Sequence, residues 1–99
     1  MKMNYNEKMD LDLLKKKVEQ CMANVAEKKR DLNLTLVNLA DFILLEMDSS
    51  NRDVIVIGHQ LKNRKVAVEK AEKRYNKSVG DLRRAQNELK AKELELLSN

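Results

Sequence analysis

The sequence has one cysteine, Cys21, and one histidine, His59, the residue types that most often ligate zinc or act as nucleophile and base. Each is the only residue of its type, so the chain has no CxxC pair, no pair of histidines and no internal disulfide. A zinc site draws three or four ligands from such residues. We expect Cys21 to be a small buried apolar side chain and not a reactive thiol, and His59 to be solvated near a helix start. We therefore expect no metal site and no cofactor.

Catalytic motifs are equally scarce. The sequence contains no glycine-rich phosphate loop and no nucleophile elbow, and carboxylates spread along a helix are normal at a charged fraction of 36%. A long helical hairpin also lacks a concave pocket of its own. We expect that the protein is not an enzyme.

Basic side chains could bind a polyanion, and they concentrate between residues 62 and 84. This window holds nine basic and three acidic residues, a net charge of +6 against +4 for the whole chain. Clustered Lys and Arg release counterions from nucleic acid or from acidic lipid heads. The candidate polyanion contacts, named the basic ridge below, are Lys62, Lys65, Lys70, Lys73, Arg74, Lys77, Arg83 and Arg84.

The same ridge also fits a solvated coiled-coil face that docks an acidic patch of a partner protein. Only three aromatic residues are present, and Tyr75 falls on the apolar stripe of its helix, so stacking platforms for unpaired bases are lacking. We prefer the solvated face and keep nucleic-acid binding as the alternative.

The composition favours uninterrupted helix. The 99 residues include no proline and two glycines, the residues that helix interiors exclude. This length allows one domain, spanning residues 1–99. The polar start lacks the apolar core of a secretory signal, and no apolar run reaches the length of a membrane span. We expect a soluble, intracellular protein, in the cytoplasm.

Apolar residues recur at helical spacing in both halves. The first half carries Leu11, Leu14, Val18, Cys21, Val25, Leu32, Leu36, Leu39, Phe42 and Ile43, with a lapse at Lys28 and Lys29. The second half repeats every seventh residue, at Val54, Leu61, Val68, Tyr75, Leu82, Leu89 and Leu96. Between these lie Ala71, Ser78 and Ala85, which predict a narrow seam and close helix approach. A strict heptad indicates a coiled coil.

The segment "MDSSNRDVIVIGH" decides how the halves connect. Its β-branched residues favour a strand, but Val54 and Ile57 are in phase with Leu61, and Ser50 followed by Asp53 resembles a helix N-cap. We predict an all-α fold, a long antiparallel two-helix coiled-coil hairpin with helices at about 6–48 and 51–97 and a loop at about 48–53. One continuous helix is the alternative.

A two-helix hairpin needs one apolar stripe per helix, and this chain has more near its predicted loop. The surplus residues, predicted to form a partner interface, are Leu34, Val37, Leu44, Leu45, Met47, Ile55 and Val56. Such a surface usually pairs with another chain, most simply itself, as a dimeric four-helix bundle. A loop that folds back over the patch is the alternative.

These observations predict a non-enzymatic coiled-coil protein that acts in protein–protein interaction or assembly through this surface. One alternative is a small nucleic-acid-binding protein that uses the basic ridge. A second is a subunit or chaperone of a hetero-oligomeric helical complex, which sequence does not separate from the homodimer.

Overall fold

The protein is a hairpin of two long helices. The computed structural model describes residues 4–47 and 53–98. Helix α1 spans Tyr5–Met47 and helix α2 spans Val54–Ser98, and the described residues include no strand. This confirms the all-helical hairpin. The predicted loop at 48–53 lies outside the described residues except for Asp53, and so does the predicted cap at Ser50.

Side-chain caps fix both helix starts. The Asn4 carboxamide oxygen accepts a hydrogen bond from the Glu7 amide at 2.8 Å, and the Glu7 carboxylate accepts one from the Asn4 amide at 3.2 Å. This reciprocal pair is a capping box. At α2 the Asp53 carboxylate accepts a bond from the Ile55 amide at 2.9 Å. Asp53 is thus the N-cap residue, whereas the sequence prediction placed it inside the first turn.

The chain divides into two compact units, each made of one segment from each helix. The first contains residues 1–26 and 77–99, and the second contains residues 27–76.

In the first unit the segments are antiparallel. Lys17 Nζ lies 3.0 Å from Glu88 Oε2, and Asp10 Oδ2 lies 3.9 Å from Lys92 Nζ, so the residue number rises along α1 as it falls along α2. Among the described residues of this unit, the buried side chains are Leu11, Ser78 and Ala85.

In the second unit, the ring of Phe42 and the side chain of Ala71 are buried, at 7% and 3% exposure. The Arg64 guanidinium lies over the Phe42 ring, 4.3 Å from its centroid. Thr35 also faces α2, and its hydroxyl donates a 2.7 Å hydrogen bond to the Leu32 carbonyl. The hydroxyl of Thr35 therefore has its hydrogen-bond partner within its own helix.

The seam on α2 is narrow, as the sequence predicts. Ala71, Ser78 and Ala85 recur every seventh residue and are 3%, 2% and 1% exposed. A short side chain is enclosed this fully only where the neighbouring helix comes close. The core is correspondingly small, because the buried apolar residues among those described are Leu11, Phe42, Ala71 and Ala85.

Three residues of the predicted stripes lie off the seam. Leu36 is 45% exposed, Ile43 is 38% exposed, and Val54, the first residue of α2, is 80% exposed. The seam of α1 instead follows a heptad through Lys28, Thr35 and Phe42, where Lys28 and Thr35 are half-buried. Apolar residues alone did not reveal this row, because the aliphatic stem of a lysine and the methyl group of a threonine can fill seam positions.

Candidate functional site

The predicted interface residues are exposed on the second unit. The side chains of six of them are at least half exposed, from 50% for Val56 to 72% for Leu45: Leu34, Val37, Leu44, Leu45, Ile55 and Val56. The side chain of Met47 is outside what the structure describes. No other described part of the chain covers these six residues.

Sequence reasoning missed three further members of this surface, because it assigned them to the helix seam. Leu36, Ile43 and Val54 are exposed large aliphatic residues of the same unit. We call the nine residues together the apolar surface, of which Leu36 and Ile43 lie on the opposite side of the α1 seam from Leu45. Ile43 also lines a mostly apolar groove of about 150 Å³, together with Phe42, Glu46, Ile57 and Leu61.

The apolar surface is nearly free of charge. In α1, residues 32–45 include one charged residue, Asp41, and in α2 residues 54–61 include no Lys, Arg, Asp or Glu. Binding surfaces of proteins are depleted of charged residues at their centres. These two segments therefore have far fewer charged residues than the whole chain, in which 36% of the residues are charged.

The residues of the basic ridge are all exposed. Five of them belong to the second unit and Lys77, Arg83 and Arg84 belong to the first. Arg84 forms an ion pair with Asp81, one turn earlier on α2. Among the described residues, Lys62, Lys65, Lys70, Lys73 and Arg74 take part in no ion pair within 4.0 Å.

Part of the ridge borders a groove between the two helix segments of the second unit. This groove has a volume of about 340 Å³ and is lined by Thr35 of α1 and by Asn63, Val66, Ala67, Lys70 and Arg74 of α2. Lys70 and Arg74 are one helical turn apart, so both cationic groups lie on the same side of α2. Lys70 and Arg74 can donate hydrogen bonds to an anionic or amide group of another molecule that binds in the groove.

Arg64 is the ridge-window residue that turns inward. Its guanidinium stacks on Phe42, and its Nε atom is buried without a hydrogen-bond partner in the described structure. A cation over an aromatic face is stabilised by the ring quadrupole. Arg64 therefore belongs to the helix seam and not to the exposed ridge.

The first unit has exposed apolar residues that sequence reasoning did not single out. Tyr5, Met9 and Leu13 recur at four-residue steps and are 77%, 47% and 59% exposed, and Leu94 and Leu97 are exposed on α2. The four-residue spacing of Tyr5, Met9 and Leu13, outside the main apolar stripe of α1, is the sequence signal that could have identified them. Leu13 also lines a groove of about 320 Å³ with Asp10, Leu14 and Lys92, so charged groups interrupt this surface.

The residues whose side chains could bind a metal ion do not cluster in the described part of the chain. Cys21 is half-buried and His59 is exposed. Within residues 4–47 and 53–98, no three His, Cys, Asp or Glu side chains come together in a way that could hold a metal ion. Neither described helix has a stretch long and apolar enough to cross a lipid bilayer.

Comparisons with known proteins give no relative. No protein-family model matches this chain, and no curated protein or solved structure is significantly similar to it.

Proposed function

We propose that this chain is a non-enzymatic assembly protein, a coiled-coil hairpin that forms a homodimer by burying the apolar surface against a second copy. The exposure of that surface carries the proposal. Leu44 and Leu45 are 66% and 72% exposed, side by side in a segment of α1 with little charge. Contiguous exposed apolar surface is typical of a binding site and not of a solvated helix.

The apolar surface offers substantial burial to a second copy. Its nine residues are together as exposed as about five whole aliphatic residues, and Leu34, Leu44 and Leu45 alone are 61%, 66% and 72% exposed. Burying an aliphatic side chain stabilises by ~1.5–3 kcal/mol. Burial of the residues that one partner covers therefore favours association.

The small core of the hairpin supports the same proposal. Two of the four buried apolar residues in the described part of the chain are alanines, which add little apolar area to the core. A chain of this length stabilises itself by burial or by oligomerisation. A four-helix bundle formed by two copies would add a second apolar layer to the narrow seam.

Light scattering coupled to size exclusion tests the proposal on a Leu44→Glu/Leu45→Glu variant. We expect the wild-type chain to elute as a dimer and the variant as a folded monomer, because a buried unpaired carboxylate is strongly unfavourable. The matched control is Leu13→Glu/Leu94→Glu, which changes two leucines of the first unit that are 59% and 56% exposed. The control should remain a dimer.

A variant that keeps the mass of the wild type would contradict the proposal. A wild-type chain that is monomeric over the whole concentration range would instead support a hetero-oligomeric complex, in which a different helical chain covers the surface.

The basic ridge favours a second candidate function, nucleic-acid binding, because five of its side chains are exposed and unpaired in the second unit. Reversing Lys70, Lys73, Arg74 and Lys77 to Glu should abolish retention on duplex DNA or RNA at low salt. The control is the reversal of Lys8, Lys15 and Lys16, exposed lysines of α1 outside the ridge. Equal retention of wild type and ridge variant would remove this candidate.

A further inference from the structure

One side of the second unit carries two matching rows of exposed residues. On α1 the row is Asp31, Asn38 and Leu45, and on α2 it is Val56, Asn63 and Lys70. Members of each row are seven residues apart, so each row follows its helix along the length of the pair. The segments of this unit are antiparallel, because Phe42 lies against Arg64 while Thr35 shares a groove with Lys70. Each row therefore has its charged residue at one end, an amide in the middle, and an aliphatic residue at the end near Met47 and Val54.

The groove of about 340 Å³ shows that both rows border one side of the unit. Thr35 lines it from α1, and Asn63 and Lys70 line it from α2. Leu32 and Leu39, which flank Thr35 on one side, are half-buried on the seam. Asp31 and Asn38 flank Thr35 on its other side and are exposed, so they lie where the groove opens.

Within one chain these charges are unused. Asp31 and Lys70 take part in no ion pair within 4.0 Å in the part of the chain that the structure describes. Leu45 and Val56 are likewise exposed, at 72% and 50%. The rows thus present complementary groups to a molecule outside the chain.

From this pattern we infer that the side bearing the two rows is the dimer contact, with two copies parallel and their Met47 and Val54 ends together. The inference rests on the proposed homodimer and specifies its geometry. A two-fold axis along the helices sets α1 of one copy against α2 of the other at equal height, so Asp31 of each copy meets the partner's Lys70. The same operation sets Leu45 against the partner's Val56.

A second face-to-face arrangement of the two copies does not bring Asp31 and Lys70 together. A two-fold axis across the helices sets α1 against the partner's α1 with opposite direction, which opposes Asp31 to the aliphatic end of the same row. It also opposes Lys70 to the Val56 end of the α2 row. Complementary potentials select partner and orientation in coiled coils, and only the parallel arrangement provides them here.

The test is a charge-reversal exchange between chains. Asp31→Lys and Lys70→Glu are made separately, and the dimer dissociation constant is measured by sedimentation at low salt. Each reversal changes two symmetry-related contacts, so each variant should dimerise about tenfold more weakly than the wild type. An equimolar mixture of the two variants should form a heterodimer with at least half of this loss recovered, because the introduced lysine then faces the introduced glutamate.

Two further variants separate the possible outcomes. Lys65→Glu reverses an exposed lysine outside both rows and should leave the dimer constant within about twofold, since screened surface charges contribute little. A single chain carrying both Asp31→Lys and Lys70→Glu should also recover the wild-type constant. Recovery in that chain without recovery in the mixture would place the contact within one chain and overturn the inference.

Loss of dimer in Leu44→Glu/Leu45→Glu with no effect of either reversal would also overturn the inference, while the proposed homodimer would stand. The same holds if Leu36→Glu/Ile43→Glu, on the opposite side of the α1 seam, dissociates the dimer and the charge reversals do not. If the wild-type chain is monomeric, the proposed function and this inference fail together.

Discussion

Ala85→Leu tests how closely the two helix segments of the first unit approach. Ala85 is 1% exposed, and Ser78, one heptad earlier, is 2% exposed. Alanine and leucine have similar helix propensities, so the substitution changes packing and leaves the preference of the backbone almost unchanged. The sign of its effect on stability therefore reports the space around the Ala85 side chain.

The magnitude follows from two opposing effects. Leucine adds three carbon atoms, whose burial would stabilise by ~2.4 kcal/mol at ~0.8 kcal/mol per carbon if room existed. A seam that encloses an alanine at 1% exposure leaves no such room. The helices must then separate or the leucine must leave its preferred rotamer, which costs ~1–3 kcal/mol. We expect destabilisation by about 2 kcal/mol.

The assay is thermal unfolding followed by helical circular dichroism at one fixed protein concentration. At ~4–8 °C per kcal/mol for a chain of this size, the midpoint should fall by about 8–16 °C. Ala91→Leu is the matched control, because Ala91 is an exposed residue of the same helix. Its midpoint should stay within about 4 °C of the wild type, since surface substitutions change stability by ~0.5 kcal/mol at most. A rise in the midpoint of Ala85→Leu would refute close approach.

Three smaller predictions concern local features and use the same unfolding assay. Asp53→Ala removes the bond to the Ile55 amide and should cost about 1 kcal/mol, whereas an unchanged midpoint would deny Asp53 its capping role. Gly80→Ala should stabilise by ~0.5–1 kcal/mol, because an added Cβ meets no atom within 4 Å beyond the adjoining backbone of its own helix and alanine suits a helix interior better; a loss of stability would show hidden crowding. In a double-mutant cycle, Lys17→Ala and Glu88→Ala should show a coupling below about 1 kcal/mol that disappears in high salt, since both side chains are about half exposed; salt-independent coupling would contradict this.

The sequence predicts the seam of α2 well. The heptad residues Leu61, Val68 and Tyr75 are half-buried in the structure, and the small residues Ala71 and Ala85 are buried. Strict spacing over many turns leaves one consistent helix face, so the period alone identifies it.

The seam of α1 is harder to predict, because polar residues occupy part of it. Lys28 and Thr35 replace aliphatic residues at heptad positions, so an apolar count shifts the stripe to Leu36 and Ile43. The heptad from Leu14 through Cys21 to Phe42 passes through Lys28 and Thr35, and following that period would have corrected the error. Val54 was misplaced for another reason. As the first residue of α2 it precedes the first layer of the pair, and periodicity does not show where packing begins.

The exposed surface is only partly readable from sequence. Leu44, Leu45 and Ile55 were predicted to contact a partner because of a surplus of apolar residues; all three are exposed, and the contact stays a prediction. The matching rows that end at Asp31 and Lys70 depend on the antiparallel register of the pair, because charges on separate helices are complementary only at equal height. Spacing within one helix does not contain that register.

The molar mass of the wild-type chain in solution tests whether it forms the proposed homodimer. It is measured by light scattering across a wide concentration range, at low and at high salt. We predict a mass about twice the 11.5 kDa of one chain, held at high salt because burial of apolar surface does not depend on charge. A mass of 11.5 kDa throughout would contradict it, since the apolar surface would then remain exposed in the isolated chain.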